Sequence, residues 1–280
     1  LQEIKQQDIE NIFFAIAAPI QGEIIKIVNN HWVVDTEKLS KNFSLNRLRV
    51  INDFESIAYA VNDLNDLDIE LIGRKSFILP KKNDCSIGII GPGTGLGASA
   101  VKKSKGAVFV SALELGHVGF SPQNELQREL TAILEKKHIR VINETFVSGP
   151  GIENIFEALL ELNGKETYSR SSEDIFLNLN HCEFSNQSVD LFFEILGQVA
   201  GDFALSTGTF DGILLTGDII NNNFDSFMSS QFISGFNSKL DYSELMKNIP
   251  LAVCIKPEMG LLGIFELFKK SLSVNYTQPE

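Results

Sequence analysis

Ser86-Ile87-Gly88-Ile89-Ile90-Gly91-Pro92-Gly93-Thr94-Gly95-Leu96-Gly97-Ala98-Ser99-Ala100-Val101 decides the fold class of this chain. Ser86 to Ile90 reads as one strand, Gly91 to Gly97 as a glycine-rich turn and Ala98 to Val101 as a second strand. Glycines let a backbone approach phosphate oxygens closely and turn its N–H groups inward as an anion nest, which makes the Gly93-Thr94-Gly95-Leu96-Gly97 turn a candidate site. Alone, the same stretch reads as a tight hairpin. It has no Gly-Lys-Ser/Thr ending and so is no Walker loop, and its strand-turn-strand setting does not suit a dinucleotide fingerprint.

Upstream, Ile12 to Ala18 reads as a buried strand that stops at Pro19, which has no N–H to donate. Glu23 to Val28 and Trp32 to Val34 suggest a hairpin, Asp35 to Leu39 a short capped helix and Arg47 to Ile51 another strand. Ile57, Ala58, Ala60, Val61 and Leu64 then recur at helical spacing. Asn52, Asp53 and Phe54 therefore fall at a strand-to-helix junction, where side chains are exposed over a sheet edge. Residues 65–84 are loosely patterned, and Pro80-Lys81-Lys82-Asn83-Asp84 reads as a connector between lobes.

Downstream, Ala107 to Val110 adds a strand, and Ser121-Pro122 announces a helix from about Gln123 to Lys137. A helix from Ile152 to Leu162 stops at Asn163-Gly164. Val189, Phe192, Phe193, Leu196, Val199, Ala200, Phe203 and Ala204 form the widest apolar stripe, that of a core helix. Gly212 to Gly217 and Leu251 to Ile255 are buried strands, and Leu261 to Leu272 is a closing helix. There is no repeat of solenoid period. The fold class is α/β, with mixed sheets flanked by helices.

At 280 residues, 44% of them hydrophobic and 21% charged, the chain describes a globular protein with room for two lobes. Its formal charge of −12 would repel nucleic acid, and its apolar runs fall well short of the ~20 residues a membrane span needs. Cys85, Cys182 and Cys254 are odd in number and far apart, which fits a reducing cytoplasm better than a disulfide framework or a zinc cage. The start at Leu1, without an initiator Met or a signal pattern, reads as a truncation.

Four further groups carry chemistry. Asp53 lies just past a strand end, and taken alone it reads as the N-cap of the following helix. Glu114-Leu115-Gly116-His117 places a carboxylate and an imidazole three positions apart, and Glu144 precedes Ser148-Gly149-Pro150-Gly151. Separately, each has a plain reading as a solvated or core side chain.

In order, these blocks resemble the bacterial-type glucokinase family of actin/hexokinase-like sugar kinases. Ile51-Asn52-Asp53-Phe54 is similar to that family's Ile-Asn-Asp-Phe, Gly91 to Gly97 to its Gly-x-Gly-Thr-Gly-Leu-Gly, and Glu114 to His117 to its Glu-Gly-Gly-His. Ser148 to Gly151, Leu205 to Phe210 before the strand ending at Thr216-Gly217, and Gly260-Leu261-Leu262-Gly263 extend the match over nearly the whole chain. The resemblance implies a two-lobed, ribonuclease H-like fold. Residues 1–64 and 256–280 would form the small lobe and 65–255 the large one.

It also implies ATP-dependent phosphorylation of glucose or a related hexose at the 6-hydroxyl, the first step of glycolysis. Asp53 would be the catalytic base, and Asn52, Asp53, Glu114, His117 and Glu144 would bind the sugar. Gly93, Thr94 and Gly95 would face the β- and γ-phosphates with Mg²⁺ nearby, and Gly217 would lie near the adenosine. No protein metal site, nucleic-acid partner or membrane is implied. A homodimer is.

Three departures set further expectations. Leu115 stands where the family has Gly, predicting bulk beside two sugar ligands. Asp218 stands where the family has the second of paired glycines, predicting crowding or repulsion of nucleotide. The family's Asp-x-Gly-Gly-Thr phosphate hairpin is expected upstream of Leu1, together with the first strands of the small lobe. The alternatives are a catalytically weak sugar-binding regulator of the same fold and an interaction scaffold. Kinases with a Cys-rich zinc motif match less well, because no Cys cluster follows His117.

Overall fold

In the computed structural model, which describes residues 9–27, 31–73, 76–79 and 84–273, the apolar run after Glu10 forms β1 (Asn11–Ile16). The short hairpin β2 (Ile24–Lys26) and β3 (Val33–Asp35) follows. Val28, where the first arm was expected to end, lies outside the described residues. Asp35 caps α1 (Thr36–Phe43) by accepting from Lys38 N at 2.9 Å, and Ser44 ends it in the left-handed region. β4 (Arg47–Asn52) pairs with β1 in parallel, placing Asn52 opposite Ile16 at the C-terminal ends of both strands.

α2 (Asp53–Val61) starts directly from β4. Beyond it, the loosely patterned residues 65–84 contain β5 (Ile69–Ile72), an edge strand antiparallel to a strand near the end of the chain. Four residues are too few to show a period, and the pairing partner lies far off in sequence. The Pro80 to Asp84 connector lies outside the described residues except for Asp84.

β6 (Cys85–Pro92) and β7 (Leu96–Ser104) form the expected antiparallel hairpin, with Gly91 opposite Gly97, and β8 (Ala107–Leu113) extends it. α3 (Glu125–Leu134), with Asn124 as its N-cap, starts close to the expected Gln123 and ends three residues before Lys137. Asn124 accepts from Gln127 N and Gln127 accepts from Gln123 N, at 2.9 and 2.7 Å, so two orphan amides at this end are satisfied. α4 (Asn143–Phe146), α5 (Gly149–Leu162), α6 (Ser172–Leu177) and the long α7 (Glu183–Thr207) follow. After β9 (Gly212–Leu215) come α8 (Asp218–Asn222), α9 (Phe224–Met228), α10 (Phe232–Asn237) and α11 (Ser243–Met246). β10 (Leu251–Cys254) and α12 (Met259–Ser273) complete the chain.

The main sheet has the order β5-β10-β9-β6-β7-β8, with β9 parallel to both neighbours and the outer strands antiparallel. Side-chain alternation splits its core in two. Ile90, Ile213, Leu215 and Val253 face α5 and α7, whereas Ile87, Ile89, Leu214 and Ala252 face α2. Helices on both faces explain why β9 and β10 read as unbroken apolar runs. On the α7 side, rings of Phe192, Phe193, Phe227 and Phe232 form a chain of edge-to-face and tilted contacts at 5.1–5.3 Å between centroids.

α12 returns to the start of the chain. Ser56 Oγ donates to Gly260 O at 2.5 Å, Phe13 and Phe268 meet edge to face at 5.4 Å, and the Arg47 guanidinium bonds Ser271 O. Among the described residues, no helix is long and apolar enough to cross a membrane, and the cysteines are free.

Candidate active site

The strand ends point at one cleft of about 370 Å³. Its walls include Asn52, Asp53 and Phe54 from the β4–α2 junction, Gly93, Thr94 and Gly95 from the β6–β7 turn, and Glu114, His117 and Glu144.

The junction is built by Asn52, not Asp53. Asn52 Oδ1 accepts from Phe54 N at 2.9 Å and Glu55 N at 3.2 Å, so it caps α2 and frees Asp53 from the capping role that its position alone suggested. The Asn52 amide nitrogen reaches Ala18 O at 3.4 Å, leaving an N–H that can meet a ligand. Asp53 occupies the first turn of α2 and borders the cleft. Burial pushes its carboxyl above the usual aspartate range, and the hydrogen bond from Phe54 N pulls it partly back.

The glycine turn is held from two sides. Gly93 N donates to Gly95 O and Gly93 O accepts from Gly149 N, both at 2.8 Å, so the start of α5 abuts the turn. Gly93 thus commits its own amide to the turn, and the amides of Thr94 and Gly95 and the Thr94 hydroxyl are the donors left to offer an anion. No atom lies within 4 Å of where a Cβ on Gly93 would stand, so the turn has open space beside it. Glu144 Oε2 accepts from Leu96 N at 3.0 Å, fixing the exit of the turn.

Glu114 precedes and His117 ends a 3-10 turn, Leu115–His117, which Asn143 holds by donating to Leu115 O at 3.0 Å. Leu115 packs against the main core and is not part of the cleft wall, so the expected bulk between the two polar residues does not arise. Buried Gly116 takes the tight position instead, where a Cβ would come within 2.8 Å of Leu96 O.

Gly217 is not brought into this cleft. It lies behind it with φ 111°, a backbone conformation that favours glycine, and a Cβ there would stand 2.7 Å from Pro92 O. Its neighbour Asp218 borders a second cavity of about 340 Å³ with Glu173, Phe176, Ile219 and Asn222. The sequence reading missed the part that Ala17, Ala18 and Pro19 play in the cleft wall. Their place at the C-terminal end of a strand was the available signal, since parallel strands present ligand sites at those ends.

Among the described residues, the wall holds three carboxylates, one imidazole and neither lysine nor arginine. Such a ring of acceptors suits a neutral polyhydroxylated ligand, beside a glycine turn suited to phosphate.

A family model described as "Glucokinase" matches residues 1–271. A glucokinase of Xanthomonas oryzae pv. oryzae is 33% identical over 265 residues, covering 94% of this chain and 79% of that protein. A crystal structure of glucokinase from an Antarctic psychrotroph superposes with a TM-score of 0.80 at 27% identity, over 92% of this chain and 80% of that one. A structure of Balamuthia mandrillaris glucokinase in complex with glucose has a TM-score of 0.76 at 22% identity, over 91% and 76% of the two chains, and shares the fold. These matches and the mixed α/β architecture agree with the resemblance carried by the sequence blocks: the chain belongs to the glucokinase family.

Proposed function

We propose that this protein phosphorylates glucose at its 6-hydroxyl with ATP as donor, and that the cleft between Asp53 and the glycine turn is where it does so. The observation that carries the reading is the convergence of Asp53, Glu114, His117 and Glu144 on one cleft bordered by the Gly93–Gly95 turn.

Carboxylates accept hydroxyl protons, and an imidazole or an amide can donate or accept, so Asn52, Glu114, His117 and Glu144 would hold the sugar's hydroxyls. An analogue lacking one hydroxyl would leave a cleft group unpaired and be rejected. Asp53 takes the 6-hydroxyl proton as that oxygen attacks the γ-phosphorus, and the bond from phosphorus to the β,γ-bridging oxygen breaks. The raised carboxyl of Asp53 suits this task, because a base works best when its pKa approaches the working pH. A positioned base contributes about 10²–10⁴-fold, and placing the hydroxyl in line with the donor supplies much of the rest.

The Thr94 and Gly95 amides, with the positive end of α5 behind them, would receive the donor's phosphates. The open space at Gly93 fits a phosphate there. Mg²⁺ would arrive on those phosphates and neutralise their charge, as it commonly does where a protein supplies few ligands of its own. Gly217 would back the nucleoside end.

The chain would divide into lobes 1–64 with 256–280, and 65–255, supported by the packing of α12 on α2 and β1. α2 itself also packs on the main sheet. A homodimer in the cytoplasm completes the reading.

Assaying ADP release with glucose present and absent tests it. Glucose-dependent release, with glucose 6-phosphate as product, is expected. Saturable glucose binding without turnover would instead favour a sugar-binding regulator.

A further inference from the structure

Phe54 follows the base in sequence, and its ring lies where two side chains are missing. Gly91 and Gly97 face each other across the β6–β7 hairpin. A Cβ on Gly97 would overlap the Cδ2–Cε2 edge of the Phe54 ring, and a Cβ on Gly91 would stand 2.9 Å from the ring's Cζ and 2.7 Å from Thr216 O. The paired glycines thus form a notch, and the ring fills it.

We infer that Phe54 is a positioning residue for Asp53: seated in the Gly91–Gly97 notch, it holds the first turn of α2, and with it the carboxyl, at a fixed place relative to the phosphate-facing turn. This rests on the reading of Asp53 as base. The chain of contact is short. Gly91 and Gly97 bracket Gly93–Gly95 in the same hairpin, and Phe54 N donates to both Asn52 Oδ1 and Asp53 Oδ1 at 2.9 Å. Ring, cap and base therefore move as one piece. Any shift of α2 along the sheet must lift the ring from its notch, and side-chain packing resists that far more than a solvent-filled gap would.

The ring also borders the cleft beside Asp53. The other titratable groups around that cleft are Glu114 and His117 after β8 and Glu144 on α4. Glu55, on α2 itself, borders a separate cleft with Glu23, Glu37 and Arg49.

The test is a double-mutant cycle of Phe54→Ala and Gly97→Ala, read as kcat, KM for glucose and the pH profile of kcat/KM. Because a displacement of about 1 Å can cost about 10²-fold in rate, each single variant is expected to lose roughly ten- to a hundredfold in kcat with KM within about threefold. The double variant should be no slower than Phe54→Ala within about twofold, since the new methyl occupies space the ring has left. In Phe54→Ala the acid limb should move to lower pH, because water reaching Asp53 relieves the burial that raises its carboxyl.

Losses that multiply in the double variant, an unchanged kcat in Phe54→Ala, or a loss confined to KM would each overturn the inference. Should Gly97→Ala not fold, Phe54→Leu carries the test alone: a fall in kcat with the acid limb displaced downward supports it, and an unchanged kcat and limb refute it. Asp53→Asn separates the two ideas. If that variant keeps near-parental turnover, the base assignment fails. If it is inactive while the cycle is additive, the base stands and the role of Phe54 falls.

Discussion

Leu96 N donates to Glu144 Oε2 at 3.0 Å, so a carboxylate that borders the cleft also pins the glycine turn. Leu96 is 5% exposed, and losing this acceptor would leave its amide with little water to replace it. A buried unpaired amide costs about 1–3 kcal/mol. Glu144→Ala should therefore raise KM for ATP as well as KM for glucose, each by about tenfold or more. Glu144→Gln keeps an oxygen for Leu96 N and should affect mainly the sugar. Initial rates with each substrate varied in turn check this. A Glu144→Ala defect confined to glucose would show that the turn holds itself.

Asp53→Asn should reduce kcat by about 10²–10⁴-fold, the contribution of a general base, while glucose affinity stays within several-fold. It should also stabilise the fold at neutral pH. The carboxyl is raised in the folded protein, so between the unfolded and folded pKa values the native state binds more protons, and stability falls as pH rises through that window. Above it the cost persists, and Asn removes it. Thermal unfolding of both proteins from acid to neutral pH should show a Tm advantage for Asp53→Asn that disappears below the ordinary aspartate range.

Sequence reading carried the parts of this molecule that depend on neighbouring residues. The 86–101 hairpin, the stripe of α7 and the junction at Asn52-Asp53-Phe54 each follow from local period or local turn chemistry. β5 escaped because its pairing comes from β10, far along the chain. Asp53 read as the cap, whereas Asn52 takes that place in the fold, because both residue types cap helices and sequence does not say which one ends the strand. In the same way the spacing of Glu114 and His117 was visible, whereas their closeness to Glu144 depends on α4 packing against the 115–117 turn through Asn143. Leu115 shows the converse: a departure that looked obstructive in sequence points into the core.

Gly263→Ala should destabilise the protein without entering the cleft. A Cβ at this position would overlap Ser56 O of α2, and buried Ser56 already bonds Gly260 O. Backbone cannot swing aside like a side chain, so the two helices must separate, costing about 1–3 kcal/mol as overpacked cores do. For a domain of this size that corresponds to a fall of roughly 2–12 °C in Tm. Differential scanning calorimetry checks it, and an unchanged Tm would mean that α12 slides freely on α2.

Asp218 is where this chain should be improvable as a kinase. It directly follows Gly217, which lies against Pro92 O at the root of the glycine turn, and it borders the second cavity together with Glu173. If nucleotide runs from the turn toward this cavity, its phosphates and Asp218 are like charges held close together. Asp218→Asn keeps the shape and removes the charge, so KM for ATP should fall several-fold while KM for glucose stays put. Repulsion between partly exposed charges is screened by salt, with a Debye length of about 10 Å at 0.1 M and about 3 Å at 1 M. The gain should therefore shrink as ionic strength rises. Asp218→Gly separates charge from bulk. If it lowers KM for ATP at all salt concentrations while Asp218→Asn does not, the obstruction is steric. If neither variant changes KM for ATP, the nucleotide does not pass Asp218, and the 340 Å³ cavity is not part of its path.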